Sequence, residues 1–520
     1  MEPFLRRVVL LALLLVLSPG GWAQSDDAPL RFSVTEFIVS GDNPLGDRAL
    51  AVVEPYLGEQ AGLDGLSAAA DALEQALIDA GYSFHRVTLP PQSLQGGRVE
   101  LRVLAFTLGQ VSIEGNRHFD RDNILHALPE LQPGQAPNTR RLGRSLDLAN
   151  EHPARQIQLT FRESELPDAI DAAVSVNDSD PKVYFLNIDN SGSSSTQEFR
   201  ATLGYQHSNL FNRDHALTAT LTFAPEDPAA TRQIGLNYHI PLYGQGSAVD
   251  VLLSDSEVSG GTVAESVEVS GKGSVFGVGY RHLLMTDGPL RHSWRAGLQY
   301  KLFNNTVDLS GNSIESDVLS FPLELGYALS YTARRFVVSL DLSAAKNIES
   351  GSHNTPQDYD RARPGADPDW SALRYRLNLD WPFAGDWLMR ARVRGQSSSD
   401  RLIPGEQFGV GGAATLRGFE ERSITGDEGW LGSLEVWTPS RQGWRGLLFI
   451  DAASVQNNPL PNTAEASENL SSWGLGLRWS WKQQLSLSLD HGIIIQGGGS
   501  DPQINQDGDS KTHFNLIYRF

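Results

Sequence analysis

The tetrad Leu416-Arg417-Gly418-Phe419 lies in GVGGAATLRGFEERSITGDEGW, residues 409–430, a glycine-rich stretch between two segments that alternate apolar and polar residues. A guanidinium on such a loop can fork onto a carboxylate through two parallel hydrogen bonds, which fixes direction as well as charge. Taken out of water it requires that partner, because an unpaired buried charge is costly. GLLFIDAASV, residues 446–455, offers one. If Leu448, Ile450 and Ala452 take an apolar face, Phe449 and Asp451 take the other. Asp490, inward on SLSLDHG, is a rival partner. Gly418 would let the loop backbone pass close to a wall, and the same geometry puts Phe419 beside Phe449.

Other chemistry is hard to place. The chain has no H-E-x-x-H, no G-x-S-x-G elbow and no P-loop. GVGGAA at 409–414 falls short of a dinucleotide fingerprint and lacks the following helix. DPQINQDGD at 501–509 has carboxylates and a glycine but not the ligand spacing of a calcium loop, so a solvated hairpin is expected there. The 12 histidines are scattered, and with no cysteine there is neither disulfide nor thiolate chemistry. No metal, no cofactor and no enzymatic activity are expected. A net charge of −20 argues against nucleic acid as a partner.

The elements that must position Arg417 follow from the rest of the chain. MEPFLRRVVLLALLLVLSPGGWAQ has basic residues, an apolar core and a small-residue end, which predicts a signal peptide over 1–23. Its core is shorter than the ~20 residues of a spanning helix. Residues 31–106 and 107–181 then read as two copies of strand, helix, helix, strand, strand, a tandem pair of α+β modules. In the first, Leu66, Ala70, Leu73 and Leu77 share a helix face that Gly81 ends. A three-stranded sheet with a free edge can accept an extended peptide by strand addition.

From 182 to 520 the period changes to two. LRYRLNLDW alternates Leu373, Tyr375, Leu377, Leu379 and Trp381 with charged or amide residues, and WLMRARVRG alternates Met389, Ala391 and Val393 with Arg390, Arg392 and Arg394. A soluble sandwich would bury the apolar face and leave the arginines in water. A transmembrane barrel turns the apolar face to lipid and wets the charges in its lumen. Connections that alternate short and long, an even count of sixteen segments, and a last strand with Phe514, Leu516, Tyr518 and Phe520 on one face favour the barrel. The fold expected is two α+β modules followed by a 16-stranded antiparallel transmembrane β-barrel. The loop at about 397–429 joins strands eleven and twelve and is long enough to fold inside.

The tetrad with Gly426-Asp427 behind it resembles the V-R-G-Y/F loop of the outer-membrane assembly and secretion superfamily. With two modules before sixteen strands, the chain resembles the two-partner secretion transporters (TpsB), whose modules are POTRA domains; HRVTLPPQSLQGGRVELRV, 85–103, is similar to their first-module signature. The resemblance covers essentially the whole mature chain. It implies that Arg417 locks the sixth outer loop inside the lumen against the acid of a Phe-x-Asp-x-Gly motif, matched by Phe449 and Asp451 but with Ala453 in place of the glycine. It implies that the terminal aromatic strand is read by the barrel-assembly machinery, and that the chain sits in a bacterial outer membrane with its modules in the periplasm.

The function expected is export of an unfolded partner protein, carrying an N-terminal secretion domain, past a displaced sixth loop. Outer-membrane lipid is the other partner. Folding of the cargo outside would supply direction, and the inward arginines 390, 392 and 394 would meet an acidic or polar chain. Residues 24–30 leave no room for the plug helix of well-known relatives, so gating by the sixth loop alone is expected. A barrel-assembly insertase or a gated porin are the alternatives.

Overall fold

A computed structural model describes residues 31–520, except 95, 193–196, 229–230, 257–260, 265–266, 270–271, 285–287, 310–311, 461–465, 483 and 500–503; at 61, 261–264, 267–269, 305–309 and 312–316 only the backbone is described. The expected signal peptide and the 24–30 segment lie outside these residues, as does the start of the 501–509 hairpin.

The first unit is a small α+β module. Strand Glu36–Gly41 pairs in parallel with Arg98–Ala105, which pairs antiparallel with His85–Thr88. Helix Asp64–Asp79 covers the sheet, burying Leu66, Ala69, Ala70, Leu73 and Leu77. That spacing places them on one stripe. Gly81, at φ +89°, follows the helix in the left-handed conformation of a helix stop. A further pairing of Arg31–Val34 with Gly58–Ala61 was not anticipated.

The second unit joins another such module to the barrel. Strand Thr107–Glu114 pairs in parallel with Ala169–Asp178, which pairs antiparallel with Arg155–Glu163. Two helices, Arg121–Ala127 and Thr139–Ala149, are capped by Asp120 and Asn138, whose side chains accept from the third residue in. The sheet order, first strand beside last, is the same in both modules.

The barrel closes through an unbroken antiparallel ladder from Lys182–Asp189 round to Ser510–Arg519. Asn312–Ser320 and Pro322–Thr332 pair in succession along Leu290–Leu309 and are two parts of one strand, so the cylinder has sixteen. Among the described residues no helix is long and apolar enough to cross a membrane; the strands do the crossing. Their outward side chains are exposed hydrophobics, and Tyr331, Phe336, Trp381, Phe383, Trp387 and Trp481 ring the short-turn end as an aromatic girdle. Tyr518 and Phe520 point outward with them, Phe520 stacked on Tyr184 of the first strand.

Candidate functional site

Strand twelve (Glu428–Trp437) and strand thirteen (Trp444–Asn457) run antiparallel with Ser433 opposite Asp451 and Glu435 opposite Phe449. Side chains alternate across a strand, and directly opposed residues share a face. The alternation is plain on strand thirteen: Leu448 and Ile450 are 51% and 48% exposed toward the lipid side, whereas Phe449 and Asp451 are 1% and 0% exposed. The lumen wall therefore carries a patch of two carboxylates, a hydroxyl and an aromatic ring.

The loop between strands eleven (Trp387–Ser397) and twelve lowers Arg417 onto that patch. Its Nε lies 2.8 Å from Asp451 Oδ2 and its Nη2 2.7 Å from Asp451 Oδ1, a bidentate fork. Nη1 meets Glu435 Oε1 at 2.8 Å, and Nη2 also donates to Ser433 Oγ at 3.0 Å. The Arg417 backbone N–H adds a 3.2 Å bond to Asp451 Oδ2. The guanidinium carbon stands 3.6 Å from the centroid of Phe449, a cation–π contact shielded from water. Arg417 is 4% exposed, so two carboxylates offset its desolvation.

Gly418, at φ +94°, passes so close to strand fifteen (Leu485–Gln496) that a Cβ would meet the Gly492 carbonyl carbon at 3.0 Å. Its N–H donates to His513 Nε2 at 3.0 Å, which requires that ring nitrogen to be unprotonated. Leu416 and Phe419 enter an apolar cluster with Val410, Ile424, Leu431, Ala453 and Leu470. Phe449 thus lies beneath Arg417, while Phe419 packs into this cluster. Ala453, standing where a glycine was expected, supplies part of it. Within the loop Phe408–Val410 and Ile424–Gly426 form a short hairpin.

The other expected residues sit elsewhere. Asp490 is held by Arg478 at 2.7 and 2.8 Å, with no bond to Arg417 among the described residues. Arg390 forks onto Asp380 at 2.7 and 2.9 Å. Arg394 reaches the loop, donating to Gly409 O at 3.3 Å over the Phe408 ring. Arg392 makes no ion pair among the described residues. Of the three arginines expected to face cargo, Arg390 is thus neutralised by its neighbour and Arg394 supports the loop. Glu435, Ser433 and His513 escaped sequence reading. The alternation of LGSLEVW put Ser433 and Glu435 on the inward face, but only the register to strand thirteen shows what they meet.

On the periplasmic side of the loop a cavity of about 1230 Å³ is lined by ten basic and five acidic side chains. Its walls run from helix Thr139–Ala149 of the second module, through lumen residues such as Arg295 and Arg376, to Phe408 and Arg422 of the loop.

That module is joined to the barrel by a buried polar cluster. Arg155 forks onto Asp214, in the turn after strand two (Arg200–Leu210), at 2.8 and 3.2 Å. Asn123 Nδ2 and the Tyr243 hydroxyl also donate to Asp214, at 2.7 and 2.6 Å. His152 donates from Nε2 to Ser208 O at 2.7 Å while its Nδ1 accepts from the Ala154 N–H at 3.2 Å, the pattern of a neutral imidazole. Burial holds the His152 pKa below the usual histidine value despite Asp214 nearby, and burial also lowers His126. Tyr243, from a barrel turn, is part of the module's hydrophobic core.

Comparison with known proteins fits this architecture. The family of haemolysin secretion/activation proteins ShlB/FhaC/HecB matches residues 169–479, and the ShlB-type POTRA domain matches 32–105. The chain belongs to that family. Its members are two-partner secretion transporters of the outer membrane, with POTRA modules in the periplasm. The outer membrane transporter CdiB of Escherichia coli is 22% identical over 76% of this chain and 67% of its own. The heme/hemopexin transporter protein HuxB of Haemophilus influenzae is 18% identical over 92% and 82%. The solved structure of CdiB from Escherichia coli superposes with a TM-score of 0.72 at 18% identity, covering 97% of this chain and 93% of that one.

Proposed function

We propose that this chain is a gated pore that carries an unfolded partner protein, bearing an N-terminal secretion domain, from periplasm to cell surface without nucleotide hydrolysis. The observation that carries the reading is the burial of Arg417 on the lumen wall. A loop held by a five-donor cation against Asp451 and Glu435 closes the lumen of a sixteen-stranded barrel, a size that otherwise leaves an aqueous channel. The tie is polar and reversible, so an incoming segment can displace it without breaking the barrel. The periplasmic modules capture the cargo, by strand addition at a sheet edge and by polar contacts. Arg392 and Arg376, which make no ion pair among the described residues, meet acidic or polar stretches as they pass, and folding outside gives direction. The outward Phe514, Leu516, Tyr518 and Phe520 serve as the strand read by the barrel-assembly machinery, and lipid bathes the apolar face.

The test is secretion by cells carrying Arg417→Ala. Export of the partner falls at least about tenfold, as expected for losing several charge-assisted bonds, while heat-modifiable mobility still reports a folded barrel in the membrane. Export at the wild-type level would overturn the loop's role. Removing residues 31–106 abolishes export but leaves ion conductance; a truncated protein that still secretes would overturn capture by the first module.

A further inference from the structure

The sixth loop has a second anchor at its outer end, built on a residue from a different loop. Strand nine (Val337–Asn347) leads into a connection whose helix Pro356–Ala362 opens with a capping box from Thr355 and Asp358. Tyr359 and Trp370 hold this helix down: both are fully buried with Phe303, Val318, Leu402 and Ile403, and the Tyr359 hydroxyl donates to Leu319 O at 3.1 Å. The connection is therefore a packed cap rather than a solvated loop, and its helix ends at the C-cap residue Arg363.

Arg363 bridges both roots of the sixth loop. One guanidinium nitrogen donates to Leu402 O at 2.6 Å, near where the loop begins. Both η nitrogens pair with Asp427, the last loop residue before strand twelve, Nη2 to Oδ2 at 3.1 Å. Nη2 also reaches Asn457 Oδ1 at 2.8 Å. Asp427 is wholly buried, and its carboxylate gathers the Leu402 N–H at 2.9 Å, Gln407 Nε2 at 3.2 Å and the Asn458 N–H at 2.8 Å. A buried carboxylate with that many donors on one cation is a junction. Remove the cation and the charge is left in a site water does not reach.

We infer that Arg363 is a positioning residue for the gate: it ties the cap helix to both roots of the sixth loop and keeps the loop directed into the lumen. Arg417 holds the tip and Arg363 holds the base. The loop then leaves the lumen only when both ties yield, which makes the outer cap part of the gate. This inference rests on the gating role proposed for the sixth loop.

The experiment is the open fraction of purified protein in planar lipid bilayers, with Arg417→Ala as reference. Arg363→Gln raises the open fraction about tenfold, the scale of one lost charge-assisted bond to a buried partner. Arg363→Lys, which keeps the charge but not the fork, falls between. The double variant Arg363→Gln/Asp427→Asn is no more open than Arg363→Gln alone, because the two side chains act as one junction. If Arg417→Ala opens the channel and Arg363→Gln does not, the outer tie is overturned and the gating role stands. If neither opens it, the gating role falls and the inference with it. Additive effects of Arg363→Gln and Asp427→Asn would also overturn the junction. Should Arg363→Gln fail to insert, Asp427→Asn alone carries the same test, since it keeps the buried side chain's size.

Discussion

Two buried arginine forks in the barrel unit use the same chemistry for different ends. Arg155 on Asp214 fastens the second module to the barrel rim; Arg417 on Asp451 fastens a loop to the barrel wall. Both arginines are almost fully enclosed, and both carboxylates are wholly so. What differs is the surroundings. Arg155 sits beside a hydrophobic core that runs from the module into the barrel turn through Tyr243, with Leu283 packed on its edge. Asp214 is approached from module and barrel at once. Arg417 lies over the Phe449 ring and is flanked by Leu416 of a smaller apolar cluster, and a cavity lined with charge opens on the periplasmic side of its loop. An ion pair set in a continuous core is a weld, because opening it exposes apolar area as well as charge. The pair on Arg417 ties a single loop to the wall, and in the gating role proposed for that loop it serves as a latch.

The contrast can be broken from the weld side. Asp214→Ala leaves Arg155 buried without its anion, a loss of about 3–5 kcal/mol, so most of the protein should fail to reach a heat-stable, secretion-competent state. A variant that folds and exports normally would mean the module needs no fixed seat. Next in size is Gly418→Val. It forces a branched residue into φ +94° and against the Gly492 backbone, costing about 1–3 kcal/mol, and it acts on the latch alone. The expected outcome is a folded barrel with a raised open fraction, read in planar bilayers. The smallest effect is pH. His152 and His126 have depressed pKa values in the folded protein, so the unfolded chain binds more protons as pH falls. Their contribution is complete above about 6.5 and is lost as pH drops through their lower folded values. Melting of the second module should therefore soften below about pH 6.5, and His152→Gln should flatten that slope.

Much of this was legible because it is local. Period-two alternation put Phe449 and Asp451 on one face and Leu448 and Ile450 on the other, and the structure places them so. The helix of the first module followed from apolar spacing. What stayed hidden depends on register and closure. Glu435 becomes a partner of Arg417 only because strands twelve and thirteen pair with it opposite Phe449. Asp490, the rival partner, is taken by Arg478 of the preceding strand, and Arg390, expected to face cargo, has Asp380 directly opposite it. Arg363 and Asp427 are 64 residues apart and Arg155 and Asp214 are 59 apart, distances over which no pattern in the chain links a cation to its anion.

The meeting of Gly418 and Gly492 has a mechanical consequence. A Cβ on Gly492 would lie 2.6 Å from the Gly418 nitrogen, so main chain rests on main chain with nothing projecting from either. The contact is a bare shoulder that sets how deep the loop can go, while its grip comes from Leu416 and Phe419 in the apolar cluster and from the Gly418 N–H on His513. In the gating role proposed for the loop, leaving this seat means unpacking Leu416 and Phe419 as well as releasing the charge, and the shoulder then returns the loop to the same depth after each passage.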